Sequence, residues 1–147
     1  MAQKADAVFE GGGVKGIGFA GAIEVFEEAG YEWNLLAGTS AGAITAALLA
    51  AGYRSNDLRR ILEDDFRQFK DKGFIDHIPL IGMAASLVFE KGIYEGDRFE
   101  EWFSELLAAK NVRTFGDLRA PAGSLYEHRL QVLASDITRG RLVVLPA

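Results

Sequence analysis

The sequence predicts an α/β fold with a mostly parallel sheet, and three observations predict it. A short apolar run, Ala7-Val8-Phe9, leads through glycines into a helical pattern. A second run, Trp33 to Ala37, leads through Gly38-Thr39-Ser40-Ala41-Gly42 into an almost wholly apolar helix. Two further strand candidates, Leu130 to Ala134 and Leu142 to Leu145, stand near the end. Strand followed by helix, repeated, is the pattern of parallel strands with helices on the sheet faces.

Each element has its own signal. From about Gly16 to Ala29 apolar Ala20, Ile23 and Phe26 recur on one face, with Glu24, Glu27 and Glu28 off it, and Gly30 is a natural stop. The helix from Ala43 to Ala51, ended by Gly52, has no polar face and belongs inside the protein. Ser55 is the expected N-cap of a charged amphipathic helix reaching about Phe69. Ile78 to Phe89 is apolar and weakly patterned, and reads as a buried helix or a lid. Asp97 to Lys110 carries Phe99, Trp102, Phe103 and Leu106 at helical spacing, a stripe expected in the core. Asp136 to Gly140 is the expected turn between the last two strands.

Composition narrows the function. The chain has 147 residues, enough for one domain with a core, and 49% of them are apolar. With 16 basic and 21 acidic residues the net charge is −5, which offers no basic face for nucleic acid. There is no cysteine, hence no disulfide and no Cys-based zinc site. The cluster Glu63-Asp64-Asp65 has no His or further carboxylate at ligand spacing, so no metal and no cofactor are expected. No run of about 18 apolar residues exists to span a bilayer. The N-terminus lacks the long apolar stretch of a signal peptide, so the expected location is cytoplasmic, peripheral at membranes where apolar side chains dock.

The chemistry is concentrated in two glycine motifs. In Gly38-Thr39-Ser40-Ala41-Gly42, small residues two before and two after a serine let a strand and a helix meet in a tight turn. The serine oxygen is then presented at a helix N-terminus, where free N–H groups favour negative charge. The plain alternative is a well-capped helix start. The earlier motif, Gly11-Gly12-Gly13-Val14-Lys15-Gly16, can aim several backbone N–H groups into one small space, because glycine tolerates the required dihedrals. That is what a developing oxyanion needs. Read alone, the same glycines suggest a dinucleotide site. That reading wants an acidic residue at the end of the second strand, where this sequence has Gly-Thr-Ser-Ala-Gly. Two adjacent parallel strands would bring both motifs to one edge of the sheet.

Together, Gly-Gly-Gly-Val-Lys-Gly and Gly-Thr-Ser-Ala-Gly resemble the signature of patatin-like phospholipases. The resemblance covers Val8 to about Tyr53 closely. It continues loosely through Lys91 to Gly96 and Ala134 to Arg141, which are similar to bacterial members. It implies a three-layer α/β/α fold and a lipid acyl hydrolase acting on lipid esters at a membrane surface. Ser40 is the implied nucleophile and the loop from Gly11 to Gly16 the implied oxyanion hole, with Lys15 where the family carries Lys or Arg. An ordinary α/β-hydrolase would place several strands before its elbow, and here only one precedes the elbow strand. His77 and His128 follow Ser40 and read as surface or turn residues. The family instead uses a Ser–Asp dyad.

The dyad aspartate of the family lies in an Asp-Gly-Gly or Asp-Gly-Ala motif, and this sequence contains no Asp-Gly dipeptide. Asp136 ends a strand and is the nearest substitute, although its setting before Thr138-Arg139-Gly140 reads as turn-forming. The expectation is therefore a single patatin-like domain over residues 1–147 with its C-terminal part missing. Its sheet should be incomplete and the Ala43 to Ala51 helix short of packing. The rival expectation is a catalytically incomplete relic of the same fold that binds lipid or protein, since a serine without a base is a poor nucleophile.

Overall fold

The computed structural model describes residues 3–12, 17–61 and 95–146. Strand β1 (Gln3–Phe9) is followed by helix α1 (Ile17–Glu28), strand β2 (Tyr31–Thr39) and helix α2 (Ala41–Ala50). Helix α3 is described over 55–61, and helix α4 spans Glu95–Ala109. A 3₁₀ turn (Phe115–Asp117) leads to strands β3 (Leu130–Asp136) and β4 (Arg141–Leu145). The sheet order is β1-β2-β3-β4. The first three strands are parallel and β4 is antiparallel to β3. The α/β class and the mostly parallel sheet expected from the sequence are what the chain forms.

One face of this sheet is covered. Phe9, Leu36 and Leu130 share it with Ala20 and Ile23 of α1, with Ala46 to Ala50 of α2, and with Leu58 of α3. The strand sequence advances steadily from β1 to β2 to β3. Right-handed crossovers that step in one direction deposit their helices on one side, which puts α1 and α2 in the same layer. Alternation sends Val8, Leu142 and Val144 to the opposite face, where Val8 is 81% exposed and Leu142 64%. Two of the three expected layers are thus built by the described residues. In α2, Ala41, Ala43 and Ile44 are partly exposed. Thr45 and Ala46 to Ala50 are all buried, because α2 lies on the face that the described helices cover.

Several local expectations are corrected. The strands are longer than their apolar runs, since polar residues fill their solvent-facing positions, as in Gln3 to Asp6. Phe26 is on the rim rather than in the core, 45% exposed and edged against Tyr31 and Trp33. Among the described residues Phe99, Trp102 and Phe103 pack on one another, and of the three Phe103 packs against the core. Ser55 is inside the first turn of α3, not its cap. The Arg54 carbonyl accepts the first helical hydrogen bond from Leu58 N (2.9 Å), and the Asp57 carboxylate accepts from Arg54 N. Ser55 instead donates its amide and hydroxyl to the Glu27 carboxylate, at 3.2 and 2.9 Å, and so ties α3 to α1. Helix α4 is tied to the turn that follows α2 by the Tyr53 hydroxyl, which donates to the Leu106 carbonyl at 2.7 Å. The helix expected to reach Phe69, the Ile78 to Phe89 stretch, the cluster Glu63-Asp64-Asp65 and His77 lie outside the described residues.

Candidate active site

The elbow motif occupies the junction between β2 and α2. Gly38 and Thr39 end the strand, Ser40 makes the turn, and Ala41 and Gly42 begin the helix. Ser40 has φ 53° and ψ −129°. A positive φ in a residue with a Cβ is sterically costly, on the order of 1–3 kcal/mol, and persists only where the surroundings impose it. Two glycines impose it here. A Cβ on Gly38 would stand 2.7 Å from Ala43 N, and one on Gly42 would stand 2.6 Å from Glu10 O and overlap the Phe9 carbonyl as well. Strand, helix and the end of β1 therefore meet at distances only glycine permits.

The geometry departs from an ordinary helix start. A capping serine has extended backbone and gives its oxygen to the helix N–H groups. Ser40 has neither feature: its side chain makes no cap hydrogen bond, and the residue is exposed. Only its carbonyl enters the helix, accepting from Ala43 N at 2.9 Å and Ile44 N at 3.3 Å. Among the described residues the hydroxyl has no hydrogen-bond partner, and it stands above the N-terminus of α2, where unpaired amides and the helix dipole favour a developing anion.

The first glycine motif comes to the same place. Parallel pairing sets Phe9 opposite Gly38, so the chain leaving β1 runs beside Ser40. A methyl group on Gly11 would stand 3.2 Å from Ser40 Cβ and 3.5 Å from Thr39 O. Gly11 and Gly12 are exposed at this edge. Gly13, Val14, Lys15 and Gly16 lie outside the described residues. No acidic residue ends β2, which is where the dinucleotide reading would need one.

Asp136 also reaches this edge. Thr39 pairs with Leu133, so Asp136 continues about three residues, or roughly 10 Å, past the last paired residue of β2. Its carboxylate is committed to the following turn. Arg139 donates from its backbone N and from Nη1, both at 3.1 Å, and Arg141 Nε lies at 3.5 Å. The Arg139 backbone and guanidinium hydrogen bonds, aided by Arg141, hold the carboxyl below the ordinary range. A carboxylate stabilised that way is a weaker base. The turn-forming role expected of Asp136 is the one it has. His128 pairs across a bridge with Arg119 and precedes β3, some six residues down the sheet from the level of Ser40, or roughly 20 Å. It belongs to the opposite edge and forms no triad with Ser40.

Sequence reasoning missed the hydrogen bond from Asn34 Nδ2 to the Asp6 carboxylate, between the strands that lead to this turn. The two residues lie 28 positions apart, and only the strand pairing joins them. Among the described residues no helix is long and apolar enough to cross a membrane.

The comparisons with known proteins agree with this layout. The uncharacterized protein YqhO of Bacillus subtilis (strain 168) is 45% identical over 143 residues, which is 96% of this chain and 46% of YqhO. The chain thus spans less than half the length of that relative. In structure it is similar to a chain of the heterodimeric complex ExoU-SpcU from the type III secretion system of Pseudomonas aeruginosa. That likeness has a TM-score of 0.54 at 22% identity, over 98% of this chain and 33% of that chain. The sequence profile of the family described as patatin-like phospholipase matches residues 7–143, nearly the whole chain. The chain belongs to the patatin-like phospholipase family.

Proposed function

We propose that this chain carries the nucleophile half of a serine acyl hydrolase that cleaves carboxylic esters of lipids. The observation that carries the proposal is Ser40 itself, held at φ 53° between two glycines with no cap hydrogen bond on its hydroxyl. In this reading the Ser40 oxygen attacks the acyl carbonyl and N–H groups of the Gly11 to Gly16 loop hold the oxyanion. The tetrahedral intermediate collapses, the alcohol leaves with a proton, and an acyl-enzyme remains on Ser40. Water then adds to the ester and releases the fatty acid. Thr39 and Ala41 serve as the arms of the elbow, and Lys15 steers anionic lipid toward it. The substrate is taken at a membrane surface on the cytoplasmic side.

The base in this proposal is an aspartate outside residues 1–147, in the Asp-Gly motif that the family resemblance implies, because Asp136 is committed to its turn. Residues 1–147 are then the first part of a single patatin-like domain, in keeping with their span of 46% of YqhO.

The test joins residues 1–147 to the remaining part of YqhO and follows hydrolysis of a p-nitrophenyl ester. Activity is expected, and Ser40→Ala should reduce it to the buffer rate while leaving the circular dichroism spectrum unchanged. Gly13→Ala should lower turnover by roughly 10²–10³-fold, the scale for losing one oxyanion donor. Full activity in the Ser40→Ala protein would remove Ser40 from the mechanism. A folded chimera that hydrolyses nothing would favour the binding relic.

A further inference from the structure

The pairing of β1 with β2 is not continuous. Gln3, Lys4 and Ala5 pair with Tyr31, Glu32 and Trp33, an offset of 28, whereas Ala7, Val8 and Phe9 pair with Leu36, Ala37 and Gly38, an offset of 29. Asn34 and Leu35 together oppose the single residue Asp6. This is a β-bulge, which inserts one residue and turns every later side chain of β2 to the other face.

The elbow depends on that turn. With the bulge, Leu36 and Gly38 point toward the covered face, and Leu36 is 2% exposed. Without it Phe9 would pair with Ala37, and Gly38 would point away from α2. A side chain would then stand where Gly38 now lets Gly42 and Ala43 approach. The close contacts among Gly38, Gly42 and the end of β1 could not form, and Ser40 would leave Gly11.

The bulge is clamped from both sides. The Asp6 carboxylate accepts from Asn34 Nδ2 at 2.7 Å and from Leu35 N at 3.0 Å, with the same oxygen. These are the two residues that share its position in the ladder. On the other side Arg129 Nη2 donates to the Trp33 carbonyl at 2.7 Å, and Arg129 O accepts from Leu36 N at 2.8 Å. Pairing of β2 with β3 begins at Leu36, directly after the bulge. Charge-assisted hydrogen bonds of this kind are about twice as strong as neutral ones.

We infer that Asp6 is a positioning residue for the catalytic elbow. It fixes the bulge, and the bulge fixes the register that sets Ser40 against the oxyanion loop. Arg129, the residue before β3, seconds it. The functional meaning of this register rests on the reading of Ser40 and Gly11 as parts of one catalytic machine, but its geometry can be measured without any hydrolysis.

The chain has no cysteine, so an engineered pair reports alone. Gly11 has no positive φ, and a Cβ placed on it would lie 3.2 Å from that of Ser40, just under the roughly 3.5–4.5 Å that a disulfide spans, so a shift of a few tenths of an ångström by the exposed Gly11 admits the bond. The Gly11→Cys/Ser40→Cys protein should therefore oxidise readily to an intramolecular disulfide. Adding Asp6→Ala should slow that closure by roughly tenfold, equivalent to about 1.4 kcal/mol in register stability. Asp6→Asn, which keeps an acceptor oxygen, should restore most of the rate. Asn34→Ala keeps the Leu35 bond and should fall between them. Should Asp6→Ala fail to fold, the Asp6→Asn and Asn34→Ala pair carries the comparison. A closure rate unchanged in folded Asp6→Ala, or unchanged in Asn34→Ala where Asp6→Ala does not fold, overturns the inference. A normal disulfide result with an inert Ser40 would instead leave the register intact and remove only the catalytic reading.

Discussion

Among the described residues two that are not glycine hold a positive φ, Ser40 at 53° and Asn111 at 60°. They stand in opposite circumstances. Asn111 follows α4 in a Schellman turn, in which Val112 N donates to Leu107 O at 3.0 Å and Asn111 N to Ala108 O at 2.9 Å. Val112 buries itself against the core at the next position. Asparagine is one of the few residues that tolerates this conformation, so the local sequence suits the local structure. Ser40 has no such fit. Its hydroxyl caps nothing, and its backbone is forced by the approach of β1, β2 and α2 through Gly38 and Gly42. Strain that local sequence accommodates belongs to folding; strain that the surroundings impose on an exposed hydroxyl belongs to a site.

That contrast is sharpened most by Gly42→Ala. The added methyl has backbone carbonyls in its place, so the change should destabilise the protein by about 3 kcal/mol, the upper range for overpacking. Gly21→Ala is the control, since nothing lies within 4 Å of its Cβ position in α1. There, the better helix former should stabilise by up to about 1 kcal/mol. Urea unfolding of the two variants should move in opposite directions, and equal midpoints would contradict an enforced elbow.

The next largest effect is Ser40→Gly. Relief of about 1–3 kcal/mol of strain, less the 0.5–1 kcal/mol or so of glycine's added entropy cost, should leave a protein about 1 kcal/mol more stable. It should also be inert. A loss of stability would mean that the serine side chain contributes to the fold.

Two carboxylates give a smaller effect that depends on pH. Asp57 is held below its ordinary value of 3.8 chiefly by the hydrogen bond from Arg54 N. Asp117 is held low by the amides of Arg113 and Thr114, at 2.9 and 2.8 Å. Each folded-state value lies below the unfolded one. The stabilisation is therefore fully present above 3.8 and is lost as pH falls through the folded-state value. Asp57→Asn and Asp117→Asn should lower the urea midpoint at neutral pH, and the gap to the parent should close in acid. A gap that widened in acid would reverse the sign. Asp117 is exposed and Asp57 only half-buried, so the effect is modest. Smallest of all is Asn111→Gly, which should shift stability by less than about 0.5 kcal/mol, because both residues suit the turn.

What could be read from the sequence divides along the same line. The tight turn from β2 into α2 was legible because glycine, serine and glycine at fixed spacing carry their reason locally, and α2 because a helix without a polar face has one place to go. The parallel order of β1, β2 and β3 followed from the alternation of elements. The bulge was not legible, since Asp6 and Asn34 meet only through strand pairing. Nor was Ser55 as a partner of Glu27: a serine before a helix carries the same local signal whether it caps or reaches to another helix. Phe26 fits a helical stripe by spacing, but it lies where the covered face ends, against Tyr31 and Trp33. Periodicity gives a direction without saying how far the partner layer extends.

If the fold presents Ser40 as a nucleophile, the chimera of residues 1–147 and the remainder of YqhO should react with a fluorophosphonate, and peptide mass spectrometry locates the adduct. One adduct is expected, on the Ser40 hydroxyl, absent from the Ser40→Ala protein and strongly diminished by Gly13→Ala. A folded protein that remains unlabelled, or that is labelled on another serine while Ser40 stays free, would contradict this role of Ser40.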